Sequence, residues 1–348
     1  MIKLSIPFLL TVSGILLVVL FLFTIYILVQ RKREMRFAEV RDAFLQKSSQ
    51  HWYNYLINDE IFSLALVPRG RAQVAAIEII FSSYLKNIIN EKVEQKIKEF
   101  SNLHLKEFYE KDLSSKRWSI RMNALYHIAD LQIEDLLDTC LQFEKTKISE
   151  EEYFQLLKIY SLFQPELFIE KIKESSVHYS ESEYRRVFVL LEDDVFIRLF
   201  EDFNSWTTNI QFAAIDTAAV KRNMQYIDQL KQLLTHEVPE IQIRALKGLY
   251  EIGIIDEIDP YVPFVTSDMW EIRLMVAKIF KHVPLNYTYV YLEQLLQDEN
   301  WWVRSQAAKT IAENKEGIDK LQQFMESSND PYAIEMAQET IVRKRENK

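Results

Sequence analysis

The sequence predicts an all-α protein, a single N-terminal transmembrane helix followed by an α-solenoid of stacked helical hairpins. Three observations carry that prediction. Only 5 Gly and 8 Pro occur among 348 residues, which disfavours turn-rich β architectures and phosphate-cradling loops and favours helices joined by short polar turns. The segment IPFLLTVSGILLVVLFLFTIYILV, Ile6 to Val29, is 24 residues without a charge. One motif also returns along the chain at intervals of about 30 residues, the mark of stacked supersecondary units.

The uncharged segment comes first. At about 1.5 Å per residue, a helix of that length crosses a hydrocarbon core of roughly 30 Å. A cleaved signal has a shorter apolar core, about 7–15 residues, followed by a small-residue cleavage site. Here the run is longer and QRKREMRF follows it, so a retained anchor is expected over residues 6–29. Arg31, Lys32, Arg33 and Arg36 lie just after the span and only Lys3 before it. Since cytoplasmic flanks carry the excess of Lys and Arg, the expected topology is a single-pass cell-membrane protein with its N-terminus outside and its body in the cytoplasm. The same four basic residues are candidates for contact with anionic headgroups.

Beyond Arg36 the chain holds 37 basic and 50 acidic residues, a balance of −13. Nucleic acid is held through its phosphates by a basic surface, so no nucleic-acid partner is expected. The single cysteine, Cys140, excludes an intramolecular disulfide and a multi-thiolate metal site; it reads as a small buried apolar residue in a reducing compartment.

After the span, Phe37, Val40, Phe44, Leu45, Trp52, Tyr55 and Leu56 recur at helical spacing. An amphipathic stalk over residues 30–67 that docks on the body is therefore expected. No low-complexity linker interrupts the rest, which favours one continuous body. Within it, residues 68–204 read as divergent helical repeats and 205–346 as regular ones.

The regular units align as WSIRMNALYHIA from Trp118, TNIQFAAIDTAA from Thr208, EIQIRALKGLYEIG from Glu240, WEIRLMVAKIFK from Trp270 and WWVRSQAAKTIA from Trp301. The shared polar position is then Arg121, Gln211, Arg244, Arg273, Arg304 and, more loosely, Glu335, with gaps from Gln211 onward of 33, 29, 31 and 31. Each unit has a leading apolar helix, a polar turn such as DEN, and a second helix that opens with an apolar residue. A small residue follows four positions later, on the same helix face: Ala124, Ala214 or Ala307. In this alignment Lys247 occupies the small position of its unit, with Gly248 beside it.

These residues resemble the HEAT-repeat family, above all DENWWVRSQAAKTIA, which carries the family's aspartate-containing turn followed by valine and arginine. The resemblance is strong from about Ser205 to Glu346, fair around Ser115 to Leu137 and faint at PRGRAQVAAIEII. It implies that Arg121, Arg244, Arg273 and Arg304 bond an acid or a carbonyl of a neighbouring unit as structural rungs. Trp118, Trp270 and Trp301, each three residues before such an arginine, are expected to cover the hairpin turn or stack on the guanidinium. Trp302 has no counterpart in the other units and Lys247 departs from their pattern, so these two are the candidate partner-binding residues.

The usual traces of catalysis are absent from the sequence. There is no Gly-rich phosphate loop, GxSxG elbow, HExxH or paired-cysteine pattern, and the six histidines are scattered. His127 reads as a partly buried structural histidine and LEDDVF, Leu191 to Phe196, as a solvated turn. No catalytic residue, metal or cofactor is expected. The resemblance implies a scaffold that binds a membrane or membrane-proximal protein, such as a cell-envelope glycosyltransferase or a signalling complex. The alternative is a lyase-like enzyme or enzyme subunit, since helical repeats also build bilin lyases, with a site made of dispersed acids and histidines converging in one pocket.

Overall fold

The computed structural model describes residues 6–174 and 177–346, and the fold is the all-α solenoid that the sequence predicts, with no strand among the described residues. The chain divides into two compact units, Met1–Gln164 and Pro165–Lys348.

The first unit opens with α1, Ile6–Leu56, one unbroken helix of 51 residues. From Val12 to Val29 its side chains are exposed, Leu17 by 67% and Phe21 by 66%; it is long and apolar enough to cross a membrane. Its far end is core. Trp52 is fully buried, edge-on to Phe81 and Phe100 at 4.8 Å each, on α2 (Arg71–Asn87) and α3 (Glu91–His104). Burying an indole of this size contributes several kcal/mol, as the roughly 3–5 kcal/mol lost on truncating buried aromatics shows. The chain turns at Asp59, whose backbone takes the left-handed conformation with φ of 57°. Its carboxylate receives Lys92 and Lys96, both on α3. Those two ammonium groups hold it below the usual carboxylate range.

The hairpins of this unit continue through α4 (Lys106–Leu113), α5 (Trp118–Asp130), α6 (Leu137–Glu144) and α7 (Glu150–Phe163). α7 starts at a reciprocal cap: Ser149 Oγ accepts from the Glu152 amide, and Glu152 returns a carboxylate oxygen to the Ser149 amide at 2.8 Å. Cys140 is fully buried, and burial pushes its thiol up to about 12.

The second unit comprises α8 (Pro165–Glu174), α9 (Glu181–Phe188), α10 (Asp193–Phe196), α11 (Arg198–Glu201), α12 (Thr208–Lys221), α13 (Ile227–Gln232), α14 (Pro239–Ile252), α15 (Trp270–Ile279), α16 (Leu285–Leu296), α17 (Trp301–Glu313), α18 (Gly317–Ser327) and α19 (Pro331–Glu346). The second helices of its hairpins, α9, α12, α14, α15, α17 and α19, pack against one another in that order. Four of them begin at Thr208, Pro239, Trp270 and Trp301, a strict 31-residue step. Their interiors repeat with it: Ile210, Ile241, Ile272 and Val303 are buried, and so are Ala214, Ala245, Val276 and Ala307. Small side chains at the latter position let neighbouring helices approach closely.

That step corrects the sequence register in α14. Pro at the first helical position pre-sets the start at Pro239, which makes Ile241 the apolar opener and Ala245 the small residue. Lys247 therefore does not break the packing rule; it sits on the exposed side of α14, and Gly248, against the Leu230 side chain, is buried one position further on.

Candidate interaction surface

The third residue after each helix start is the rung. Arg273 is nearly buried and grips Asp298 with two bonds, Nε to Oδ2 at 2.6 Å and Nη2 to Oδ1 at 2.9 Å. It also donates to the Ser267 carbonyl at 2.7 Å. Arg304 donates to the Asp298 and Glu299 carbonyls at 2.7 and 3.1 Å and lies over the Tyr332 ring. In the first unit Arg121 reaches Glu152 at 2.7 Å and the Ser115 carbonyl at 3.0 Å. A bidentate guanidinium–carboxylate pair fixes direction as well as energy, so each rung ties a second helix to a turn or to the next unit. The acids and amide of the DEN turn are thereby explained: Asp298 receives Arg273, and Asn300 caps α17 by accepting from the Trp302 amide at 2.9 Å.

In α14 the rung is Gln242, which donates to the His236 carbonyl at 2.6 Å, just as Gln211 donates to the Phe203 carbonyl at 3.0 Å in α12. Arg244 is displaced from the ladder. It lies over the Phe212 ring and reaches Glu181 at 3.0 Å, Asp216 at 2.9 Å and Glu240 at 2.7 Å. Burial pushes the Asp216 carboxyl up against the pull of Arg244, while the Arg244 bond holds Glu181 down despite its own burial. Among the tryptophans, Trp118 donates its indole N–H to Ser149 Oγ at 3.0 Å, across one 31-residue step. Trp270 is half-buried at the start of α15. Trp301 and Trp302 stand edge to face at 4.8 Å and are 45% and 60% exposed.

The two candidate contact residues share a stripe. On α17, Trp302, Ser305 and Lys309 fall on one solvent face. The 31-residue step carries Lys309 to Lys278 on α15 and to Lys247 on α14. The structure thus places Trp302 and Lys247 on equivalent faces two helices apart, rather than side by side.

Residues 290–313, the α16–α17 hairpin almost entire, match the HEAT repeat family. The chain is a HEAT-like helical repeat protein. Two solved structures of engineered proteins align with it. The first, at 16% identity and a TM-score of 0.32, covers 81% of this chain and 80% of its own. The second, at 16% identity and 0.23, covers 76% and 95%. At these scores neither likeness bears on function, and no curated protein matches the chain.

Two further clusters matter in this HEAT-like protein because sequence reasoning read them as bland or missed them. In the first unit, Glu78 Oε1 accepts from Arg71 at 3.1 Å and from the Tyr109 hydroxyl at 2.8 Å. Its other oxygen faces His127 Nε2 at 3.5 Å, and Arg71 reaches Asp112 at 2.7 Å. Acid, base and histidine converge, but each is bound by another member of the group, and His127 is the partly buried residue expected. In the second unit, Glu192 and Asp194 of LEDDVF are exposed as expected, but the half-buried Asp193 between them is drawn into a network. It accepts from Tyr226 at 2.5 Å, from Lys221 at 2.9 Å and from Asn223. Those donors hold its carboxyl below the usual range. The capping box at Ser180 and Glu183, which opens α9, was legible from the same S-x-x-E pattern as the box at Ser149. Among the described residues no group of His, Cys, Asp and Glu is placed to hold a metal ion.

Proposed function

We propose that this protein is a membrane-anchored scaffold that holds a membrane or membrane-proximal protein partner on its HEAT-like hairpins. The observation that carries the reading is the continuity of α1. A single helix passes from exposed apolar side chains to the buried Trp52 without a break, so whatever holds the apolar half also holds the first unit. Arg31, Lys32, Arg33 and Arg36 follow the apolar segment on the same helix, all exposed and without an ion-pair partner among the described residues. They orient the body toward the cytoplasm and meet anionic headgroups, at about 1 kcal/mol each. Helical repeat surfaces commonly serve protein interaction. Confinement to one membrane raises the effective concentration of a partner in the same plane. A cell-envelope glycosyltransferase or a signalling complex is the kind of partner this placement suits.

The test has two arms. A cytoplasm-only reporter fused after Lys348 should be active, and activity from an exported reporter at that site instead reverses the topology. Purification from detergent-solubilised membranes should bring down a defined membrane protein with wild type and less of it with Trp302→Ala at unchanged melting. Recovery of the chain alone, or turnover of a substrate by the isolated chain, overturns the scaffold reading.

A further inference from the structure

The second helices of the second unit keep a 31-residue step, so residues 31 apart occupy equivalent places on helices that pack side by side. One file reads Asp216, Lys247, Lys278 and Lys309 on α12, α14, α15 and α17. The acids around it are taken. Asp216 receives Arg244 at 2.9 Å and Arg185 at 3.3 Å, Glu240 receives Arg244, Glu251 receives Arg222 at 2.5 Å, and Glu313 receives Lys281 at 3.0 Å. Lys247, Lys278 and Lys309 have no ion-pair partner within 4.0 Å among the described residues, although Lys247 lines a hollow with Asp216 and Glu251 and its charge acts on Asp216 from further off. Glu271 is the acid left open on this face, two turns before Lys278 on α15. At the end of the file, Lys309 lies in a hollow of about 390 Å³ with Ser305, Ala312, Thr340, Arg343, Lys344 and Glu313, the acid that Lys281 holds.

A chain with a surplus of acids that nevertheless leaves three lysines open in a row is patterned for a negative partner. One turn toward the helix starts runs a second file, Phe212, Ile243 and Leu274, all half-buried and apolar, in which Arg244 already covers the Phe212 ring; it ends at Ser305 and is flanked on α17 by the exposed Trp302. Packed helices lie roughly 8–10 Å apart, so the lysines repeat at about that interval. Carboxylates placed two turns apart on a helix repeat at roughly 10.5 Å. Successive phosphates of a nucleic-acid strand lie closer together and bring no apolar stripe to meet Ile243 and Leu274.

We propose that this face receives an acidic amphipathic helix of the partner protein, with carboxylates at every seventh residue against Lys247, Lys278 and Lys309 and its apolar stripe along Ile243 and Leu274 toward Trp302. The inference rests on the scaffold reading and adds to it the chemistry of the partner.

The experiment uses the full chain in detergent and a labelled helical peptide of about three heptads, with a leucine stripe and Glu at every seventh residue. A twin peptide carries Gln at those positions. Wild type should bind the Glu peptide, weaken as salt rises, and bind the Gln twin at least tenfold less. Lys247→Glu, Lys278→Glu and Lys309→Glu together should abolish binding at unchanged melting. Single Lys→Gln variants should each weaken it by roughly two- to fivefold, the range of an exposed ion pair, which keeps the idea testable should the triple variant not fold. Equal affinity for the two peptides, indifference of binding to the lysine variants, or no binding of the Glu peptide up to about 1 mM overturns the proposal. So does tighter capture of a single-stranded oligonucleotide or of anionic vesicles through the same lysines. A triple variant that still co-purifies the membrane partner sinks this inference and leaves the scaffold reading standing. Wild type that co-purifies no partner sinks the scaffold reading, and the peptide arms still decide the file.

Discussion

In the first unit Glu78 is bound by Arg71 and Tyr109 while Arg71 also holds Asp112, so the charges close on one another inside the hairpin packing. In the second unit the acids Asp216, Glu251 and Glu313 are likewise matched, but Lys247, Lys278 and Lys309 face solvent or half-face it with no acid of their own. The difference separates two uses of charge in one repeat architecture. Groups that are buried and reciprocally bonded set the register between helices. Those that recur at one open position without an ion pair add little to the register, and their regular recurrence calls for a reason outside it.

That contrast breaks most easily at its closed side. Glu152 is fully buried, receives Arg121 and caps α7. Glu152→Ala leaves the half-buried Arg121 guanidinium without its carboxylate and opens the α7 cap, and should cost about 3–5 kcal/mol, read as a drop in melting temperature of the full chain in detergent. A loss within experimental error would mean that closed networks are as dispensable as open charges. Arg273→Ala, which leaves the buried Asp298 carboxylate with the Asn300 amide as its remaining side-chain contact, should cost about 2–3 kcal/mol. Arg304→Ala removes bonds to two carbonyls and a contact with the Tyr332 ring, leaves no carboxylate behind, and should cost about 1 kcal/mol.

Acid titration sharpens the same contrast. Asp193 is held below its ordinary value by Tyr226 and Lys221. A depressed carboxyl stabilises the fold fully above the unfolded value of about 4 and loses that contribution as pH falls through the lower folded value. Stability of wild type should therefore fall below about pH 4 more steeply than that of Asp193→Asn. Parallel curves would show that the Asp193 network is not coupled to folding. The smallest effect belongs to the open side: Lys247→Gln, Lys278→Gln and Lys309→Gln should each shift stability by less than about 0.5 kcal/mol. A loss of more than about 1 kcal/mol in any of them would move that lysine from the open group to the closed one.

Much of this was legible in the sequence, for identifiable reasons. Glycine scarcity and the recurring motif carry the helical class, and the S-x-x-E pattern at Ser149 marks the start of α7. The register of α14 was not legible, because the rung donates a hydrogen bond to a carbonyl and an amide does that as well as a guanidinium. Aligning on arginine pulled Arg244 into the place of Gln242 and made Lys247 look anomalous for the wrong reason. Asp193 looked as solvated as its neighbours Glu192 and Asp194, which are exposed, because Tyr226, Lys221 and Asn223, the groups that bind it, lie about 30 residues away. The lysine file escaped for the same reason: its members are separated by whole units and meet only when the helices are stacked.

The 31-residue step also makes the second unit a molecule with a permitted currency of length. Excising the 31 residues between matching points of two successive second helices, such as α14 and α15, joins equivalent positions and removes one rung, one small packing residue and one file member together, so that the rest of the joined helix faces as before. Any other change of length inside α14 or α15 rotates the remainder of that helix by about 100° per residue, turning lysines inward and Ala245 or Val276 out to water. Shortening or lengthening of this chain is therefore quantised, and a variant one unit longer would offer a fourth lysine in file rather than a different surface.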